Sequence, residues 1–281
     1  MEKENIKKKF VFWGTPDVAS ETLEILKSAG FIPSYIITSP DKPQGRKMVV
    51  TPPPVKIWAE KNKIPYFQSE RLSKNDILEK IGKEEIDLFL VVAYGKIIPE
   101  DILNIPTLGS FNIHYSILPK YRGASPVETA ILNGDKETGV TLQKMDFKMD
   151  TGPIIAIKRL EILPDEKASE LRQRLTRVGG DLLVGAIPKI LNNKVSEKTQ
   201  DEKEATYSKK IKKEDGLMDL TGDPIKNYNK FRAYATWPRS FFFEDGKRII
   251  ITDAVLENGK LEIKKVLPEG KKEMDYFEFL K

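Results

Sequence analysis

The chain has 281 residues, 40% of them apolar and 32% charged, a balance that fits a folded globular protein and excludes a disordered one. It has no cysteine, which rules out disulfides, thiolate metal sites and a thiol nucleophile and agrees with a reducing compartment. No stretch approaches the roughly 18 apolar residues of a spanning helix, and the charged start MEKENIKKKF does not read as a secretory signal, so a cytoplasmic protein is expected.

The net charge of +5 hints at an anionic partner, but residues 201–281 hold 17 basic against 16 acidic side chains. The basic signal is therefore local: Lys203, Lys209, Lys210, Lys212 and Lys213 form one cluster, and Lys42, Arg46, Lys47 and Lys56 another. Taken singly, each of these is ordinary surface charge.

In chain order, KFVFWG at 9–14 is a short apolar run that predicts a strand, followed by a helical stripe through Val18, Leu23, Ile25 and Leu26 that stops at Gly30. Tyr35 to Ile37 predict a second strand. Residues 40–54 hold five prolines and are expected to form no regular element. Val55 to Lys61 read as helix and 64–68 as a short strand. IDLFLVVAYG at 86–95 is almost continuously apolar, as for a strand buried on both faces of a parallel sheet. Strands at 109–115 and 139–146 follow, then a long helix at about 167–191, with Leu171, Leu175, Val178, Leu182, Leu183 and Ile187 marking its core face. Strands alternating with helical segments predict an α/β domain whose ligands bind beyond the carboxyl ends of the strands.

Residues 192–216 are nearly free of apolar side chains and read as a connection. Beyond it, Phe241–Phe243, 247–256 and 260–267 are β-like runs. They are joined by Asp245-Gly246 and Asn258-Gly259, dipeptides suited to tight hairpins because both residues accept positive φ. With a further short end at FEFL, they predict a small antiparallel sheet or barrel. The domain boundaries read from this pattern are 1–191, a linker at 192–205, and 206–281.

The chemistry centres on His114, the only histidine, at the end of the 109–115 strand. Asn112 lies two positions earlier, so the two side chains share a face. That pair suits acyl transfer to an amine: an amide N–H stabilises the oxyanion and an imidazole takes the proton lost by the attacking nitrogen. A carboxylate would orient the ring, and Asp150 lies where a loop leaves another predicted strand and could do so, although Asp150-Thr151-Gly152-Pro153 is equally a plain turn. A lone histidine makes a zinc site improbable, while carboxylate sites for magnesium remain open. No G-x-S-x-G or G-x-G-x-x-G motif is present.

NIHYSILPKYRGASP at 112–126 and TGVTLQKMDFKMDTGPI at 138–154 resemble the folate-dependent formyltransferases in both motif and spacing. FWGTPDVAS, SPDKPQGRKMVVTPPPVKIWAE, VVAYGKIIP and ATYSKKIKKEDGLMDL are most similar to the branch of that family whose acceptor is initiator methionyl-tRNA. The resemblance implies a Rossmann-like catalytic domain, followed by an oligonucleotide-type (OB-like) barrel that binds tRNA and is here shorter than usual. It implies 10-formyltetrahydrofolate as formyl donor, no metal, and a monomer acting on initiator tRNA in translation. By the same resemblance Asn112 holds the oxyanion, His114 serves the proton and Asp150 tunes His114. Ser116, Ile117, Leu118 and Pro119 form a turn against the folate, opposite Tyr94, Gly95, Lys96, Ile97 and Ile98. Arg46, with Lys47 beside it, contacts the tRNA acceptor arm, and Lys209 and Lys210 form a basic link. Tyr115 departs from the family, which generally has a small residue there. Two other readings stand beside this one: a formyltransferase for a small amine such as an amino-sugar nucleotide, and a nucleic-acid-binding protein whose catalytic domain has decayed.

Overall fold

In the computed structural model, which describes residues 9–45, 47–82 and 85–281, the first apolar run of the chain becomes the middle of a sheet. Its strands are β1 (Phe10–Gly14), β2 (Tyr35–Thr38), β3 (Tyr66–Gln68), β4 (Leu88–Val92), β5 (Ser110–His114), β6 (Glu137–Lys144) and β7 (Ile154–Glu161). Their spatial order is β7-β6-β5-β4-β1-β2-β3. Strand β1 is paired in parallel with β4 on one side and β2 on the other. Every residue of β1 and β4 is buried, which is why neither sequence alternates polar with apolar. Strand β5 runs parallel to β4 but antiparallel to β6, so the sheet is mostly parallel with one reversal.

Val11, Trp13, Ile37, Ile77, Phe89, Val91 and Ile102 pack in one cluster of this core. Full burial of each such side chain contributes about 1.5–3 kcal/mol. Helix α1 (Asp17–Ser28) follows β1, α2 (Pro54–Asn62) precedes β3, and the long α3 (Ala168–Leu191) follows β7. The expected core face of α3 is found: Leu171, Leu175, Leu183 and Ile187 are buried, with Val178 and Leu182 half-buried.

By packing, the chain forms two units. The first comprises residues up to Pro119, Val140–Lys158 and Leu175–Glu204; the second comprises Lys120–Gly139, Arg159–Arg174 and Ala205–Lys281. In the second unit β8 (Phe241–Glu244), β9 (Lys247–Glu257), β10 (Lys260–Pro268) and β11 (Met274–Asp275) form an antiparallel sheet in that order. Both expected hairpins are present, with Asp245, Gly246, Asn258 and Gly259 all at positive φ. Helix α4 (Pro224–Ala233), not anticipated from the sequence, adds Tyr228 and Phe231 to the core of Phe242, Ile249, Ile251 and Val266.

Two expectations are corrected. Residues 40–54 are not wholly irregular: Lys42–Gln44 and Val49–Thr51 form a small antiparallel ribbon. An isolated two-stranded ribbon is all edge, where a proline can sit without breaking a ladder. At its base the Asp41 carboxylate accepts hydrogen bonds from Lys56 Nζ at 2.7 Å and Gln68 Nε2 at 2.8 Å, which hold that carboxyl below the usual range. The FEFL end is a helical turn, α5 (Tyr276–Phe279), rather than a strand. Its aromatic residues alternate as in a strand, but Tyr276 and Phe279 stack at 6.2 Å as i,i+3 neighbours on one helical face.

The connection from β6 to β7 is drawn tightly onto β6. The Lys144 amide donates to the Pro153 carbonyl at 3.0 Å, and a Cβ added at Gly152 would lie 1.8 Å from the Lys144 carbonyl oxygen. Only glycine fits there without moving backbone. Gly152→Ala is therefore expected to destabilise the protein by about 3 kcal/mol, lowering Tm by roughly 10 °C in a thermal melt; an unchanged Tm would contradict this close approach.

Candidate active site

Alternation along β5 puts Asn112 and His114 on one face of the sheet and Ile113 on the other. The antiparallel register with β6 sets Gln143 opposite Asn112 and Thr141 opposite His114, so four polar side chains share that face. Past His114 the chain turns at once. Thr141 Oγ1 donates to the Ser116 carbonyl at 2.7 Å and accepts from the Leu118 amide at 3.1 Å, closing the turn over 115–119 that ends in a cis Leu118–Pro119 bond. Ser116 and Leu118 are buried; Ile117 and Pro119 are half-buried.

Asp150 comes to this face on the β6–β7 connection. Its own φ is +56°, a left-handed conformation that aspartate tolerates better than most residues. Gln200 fixes the backbone that leaves it, donating from Nε2 to the Asp150 carbonyl at 2.8 Å and the Gly152 carbonyl at 2.7 Å. Asp150 Oδ2 lies 3.5 Å from His114 Nδ1, with the two side chains only 10% and 7% exposed. Asp150 Oδ1 accepts from Gln143 Nε2 at 2.8 Å.

Gln143 itself is 2% exposed, and its Oε1 has no hydrogen-bond partner among the described residues. An unsatisfied buried acceptor costs about 1–3 kcal/mol. A leucine or methionine at this strand position would avoid that cost.

The segment 94–98 leaves the carboxyl end of β4, the parallel neighbour of β5. Ala93 and Gly95 have positive φ, which turns the chain sharply across the strand ends. Thr15 Oγ1 donates to the Tyr94 carbonyl at 2.9 Å and lies 3.0 Å from Ser39 Oγ, joining the ends of β1, β2 and β4. The Tyr94 ring packs edge-on against Trp13 at 5.2 Å, and burial pushes its hydroxyl up to about 12, so it stays neutral. Lys96 Nζ turns away to the Ser69 and Glu70 carbonyls at 2.7 and 3.1 Å, while Ile97 is 71% exposed and Ile98 buried.

The structure thus brings together Asn112, His114 and Asp150, and places the 116–119 turn and the 94–98 segment at the ends of adjacent strands. Lys47 is exposed in the turn of the 42–51 ribbon, and Lys209 and Lys210 are exposed in the second unit. Arg46 lies outside the described residues. Sequence reasoning missed Thr15, Thr141, Gln143 and Gln200. The first is an ordinary residue after a strand. Thr141 and Gln143 carried a signal, as polar side chains at alternate positions of the otherwise apolar GVTLQ strand. Gln200 sits in a polar connection where nothing marked it.

Against known proteins, residues 8–187 match the model of the formyl transferase family. A methionyl-tRNA formyltransferase of Thermotoga maritima is 42% identical over 230 residues, covering 82% of this chain and 74% of that protein. One from Dictyoglomus thermophilum is 38% identical over 299 aligned residues, covering 96% of this chain and 95% of that protein. Among solved structures, a sugar 3N-formyltransferase studied with dTDP and 5-N-formyl-tetrahydrofolate is 25% identical, with a TM-score of 0.67, covering 89% of this chain and 87% of that one. The family match and the identities over most of both chains agree with the site geometry: this chain belongs to the methionyl-tRNA formyltransferases of the formyl transferase family.

Proposed function

We propose that the protein transfers the formyl group of 10-formyltetrahydrofolate to the amino group of initiator methionyl-tRNA, giving N-formylmethionyl-tRNA. The observation that carries the reading is the buried His114–Asp150 pair at 3.5 Å, on the same sheet face as Asn112. The neutral amine attacks the formyl carbon, a C–N bond forms, and the carbonyl electrons move to oxygen. Asn112 donates its amide N–H to that oxyanion, a contribution of order 10²–10³ in rate. With Nδ1 facing Asp150, the ring offers Nε2 to the attacking nitrogen and accepts its proton there. As the tetrahedral adduct collapses, the bond to folate N10 breaks and that nitrogen takes the proton back from His114. Asp150 stabilises the imidazolium in between.

The 116–119 turn and the 94–98 segment suit a flat heterocycle that hydrogen-bonds along peptide edges. Gly95 carries no side chain over its backbone, and the buried Tyr94–Trp13 pair supports the segment from below. On this reading Ser116, Ile117, Leu118 and Pro119 hold one side of the pterin and Tyr94 to Ile98 the other. Arg46, Lys47, Lys209 and Lys210 are assigned to tRNA phosphates, and the protein works as a monomer in the cytoplasm. A small-amine acceptor is the second reading, favoured by the similarity to the sugar 3N-formyltransferase. The 38–42% identity to methionyl-tRNA formyltransferases weighs against it.

His114→Ala is expected to lower kcat on methionyl-tRNA by about 10²–10⁴-fold while the dissociation constant for folate, measured by fluorescence titration, changes little. Near-normal turnover would remove His114 from its role. Arg46→Ala should raise KM for methionyl-tRNA, leave KM for the formyl donor unchanged, and flatten the salt dependence of tRNA binding by about one unit of log–log slope. Equal losses for both substrates would sink the assignment of that residue to tRNA.

A further inference from the structure

We infer that Gln143 is a positioning residue for catalysis: its amide locks the Asp150 carboxylate in the one rotation that presents Oδ2 to His114 Nδ1. The inference rests on the reading of His114 as the group that handles the transferred proton. A carboxylate on a short side chain can rotate about its last bond and offer either oxygen, or neither, to a neighbour. Here Oδ1 takes Gln143 Nε2 at 2.8 Å while Oδ2 faces His114 Nδ1 at 3.5 Å. The backbone beneath is already held by Gln200 and by the close approach of Gly152 to Lys144. The carboxylate can rotate about its last bond, and the Gln143 bond to Oδ1 opposes that rotation.

The amide can face Asp150 only with its nitrogen, since its oxygen would meet the carboxylate as a second acceptor. That orientation leaves Oε1 without a partner. A buried strand position is better packed by an apolar side chain, so an amide kept there with one end unsatisfied points to a task for the other end. The task is chemical. Holding Oδ2 on Nδ1 keeps the proton of the neutral ring at Nδ1 and the lone pair at Nε2, where the amine needs it.

The test uses Gln143→Met, which keeps the length and volume of the side chain without a donor, and Gln143→Glu, which keeps its shape but sets a second carboxyl against Asp150. Both are compared with wild type in formyl transfer to methionyl-tRNA and in NMR of the imidazole nitrogens. Because His114 is the sole histidine, an untagged protein gives one imidazole signal with no assignment needed. The expected result is a kcat lower by about 10–100-fold, from misorientation of the catalytic pair, with both KM values within about twofold and melting behaviour close to wild type. The neutral ring should be the Nδ1–H tautomer in wild type and a mixture of tautomers in Gln143→Met. A residue that only fills space would leave the tautomer and the kcat of folded Gln143→Met unchanged, and that result overturns the inference. Should wild type fail to formylate methionyl-tRNA, the assigned function falls, while the tautomer comparison still decides whether Gln143 orients the pair.

Discussion

The contact on which the site depends is backbone against backbone: the β6–β7 connection lies so close to the end of β6 that no side chain fits at Gly152. That closeness folds Asp150 back over the sheet face instead of out into solvent. The antiparallel pairing of β5 and β6 then does the rest, setting His114 and Asn112 beside Thr141 and Gln143 in a fixed register. Slipping β5 by one residue against β6 would send Asn112 and His114 to the face opposite Thr141 and Gln143, so the burial of Ile113 and Leu142 also specifies the chemistry.

Asp150 occupies a left-handed conformation and Gln143 buries an unsatisfied oxygen. Both cost stability, and both belong to the carboxylate that faces His114 and the amide that holds it. Two glutamines and a threonine fix the groups that surround His114. The chemistry of formyl transfer needs such order, because the gain from one oxyanion donor and one base is realised only when both meet the same atom.

How much of this could be read in advance follows from the range of the interactions. The two wholly buried strands and both C-terminal hairpins were legible because local composition decides them. The sharing of a face by Asn112 and His114 was legible too, since it follows from strand period alone. That Asp150 reaches His114 was not, because Asp150-Thr151-Gly152-Pro153 serves a plain turn equally well and only the packing of Gly152 selects between the two. Gln200 bonds to a carbonyl 50 residues earlier in the chain, and no periodicity carries such information. The FEFL segment misled because alternation over so few residues fits a strand and a helical turn alike. The ribbon at 42–51 was missed because proline forbids central strands and does not forbid edges.

The proposed reaction moves a formyl group onto the amine of a charged tRNA. Labelled 10-formyltetrahydrofolate offered in parallel to initiator methionyl-tRNA, the same tRNA uncharged, and a set of small amines including an amino-sugar nucleotide tests it most directly. Label is expected on the methionyl amine alone. Label on the amino sugar with none on the charged tRNA would contradict it, keeping Asn112, His114 and Asp150 as the chemical centre and assigning the protein a different acceptor.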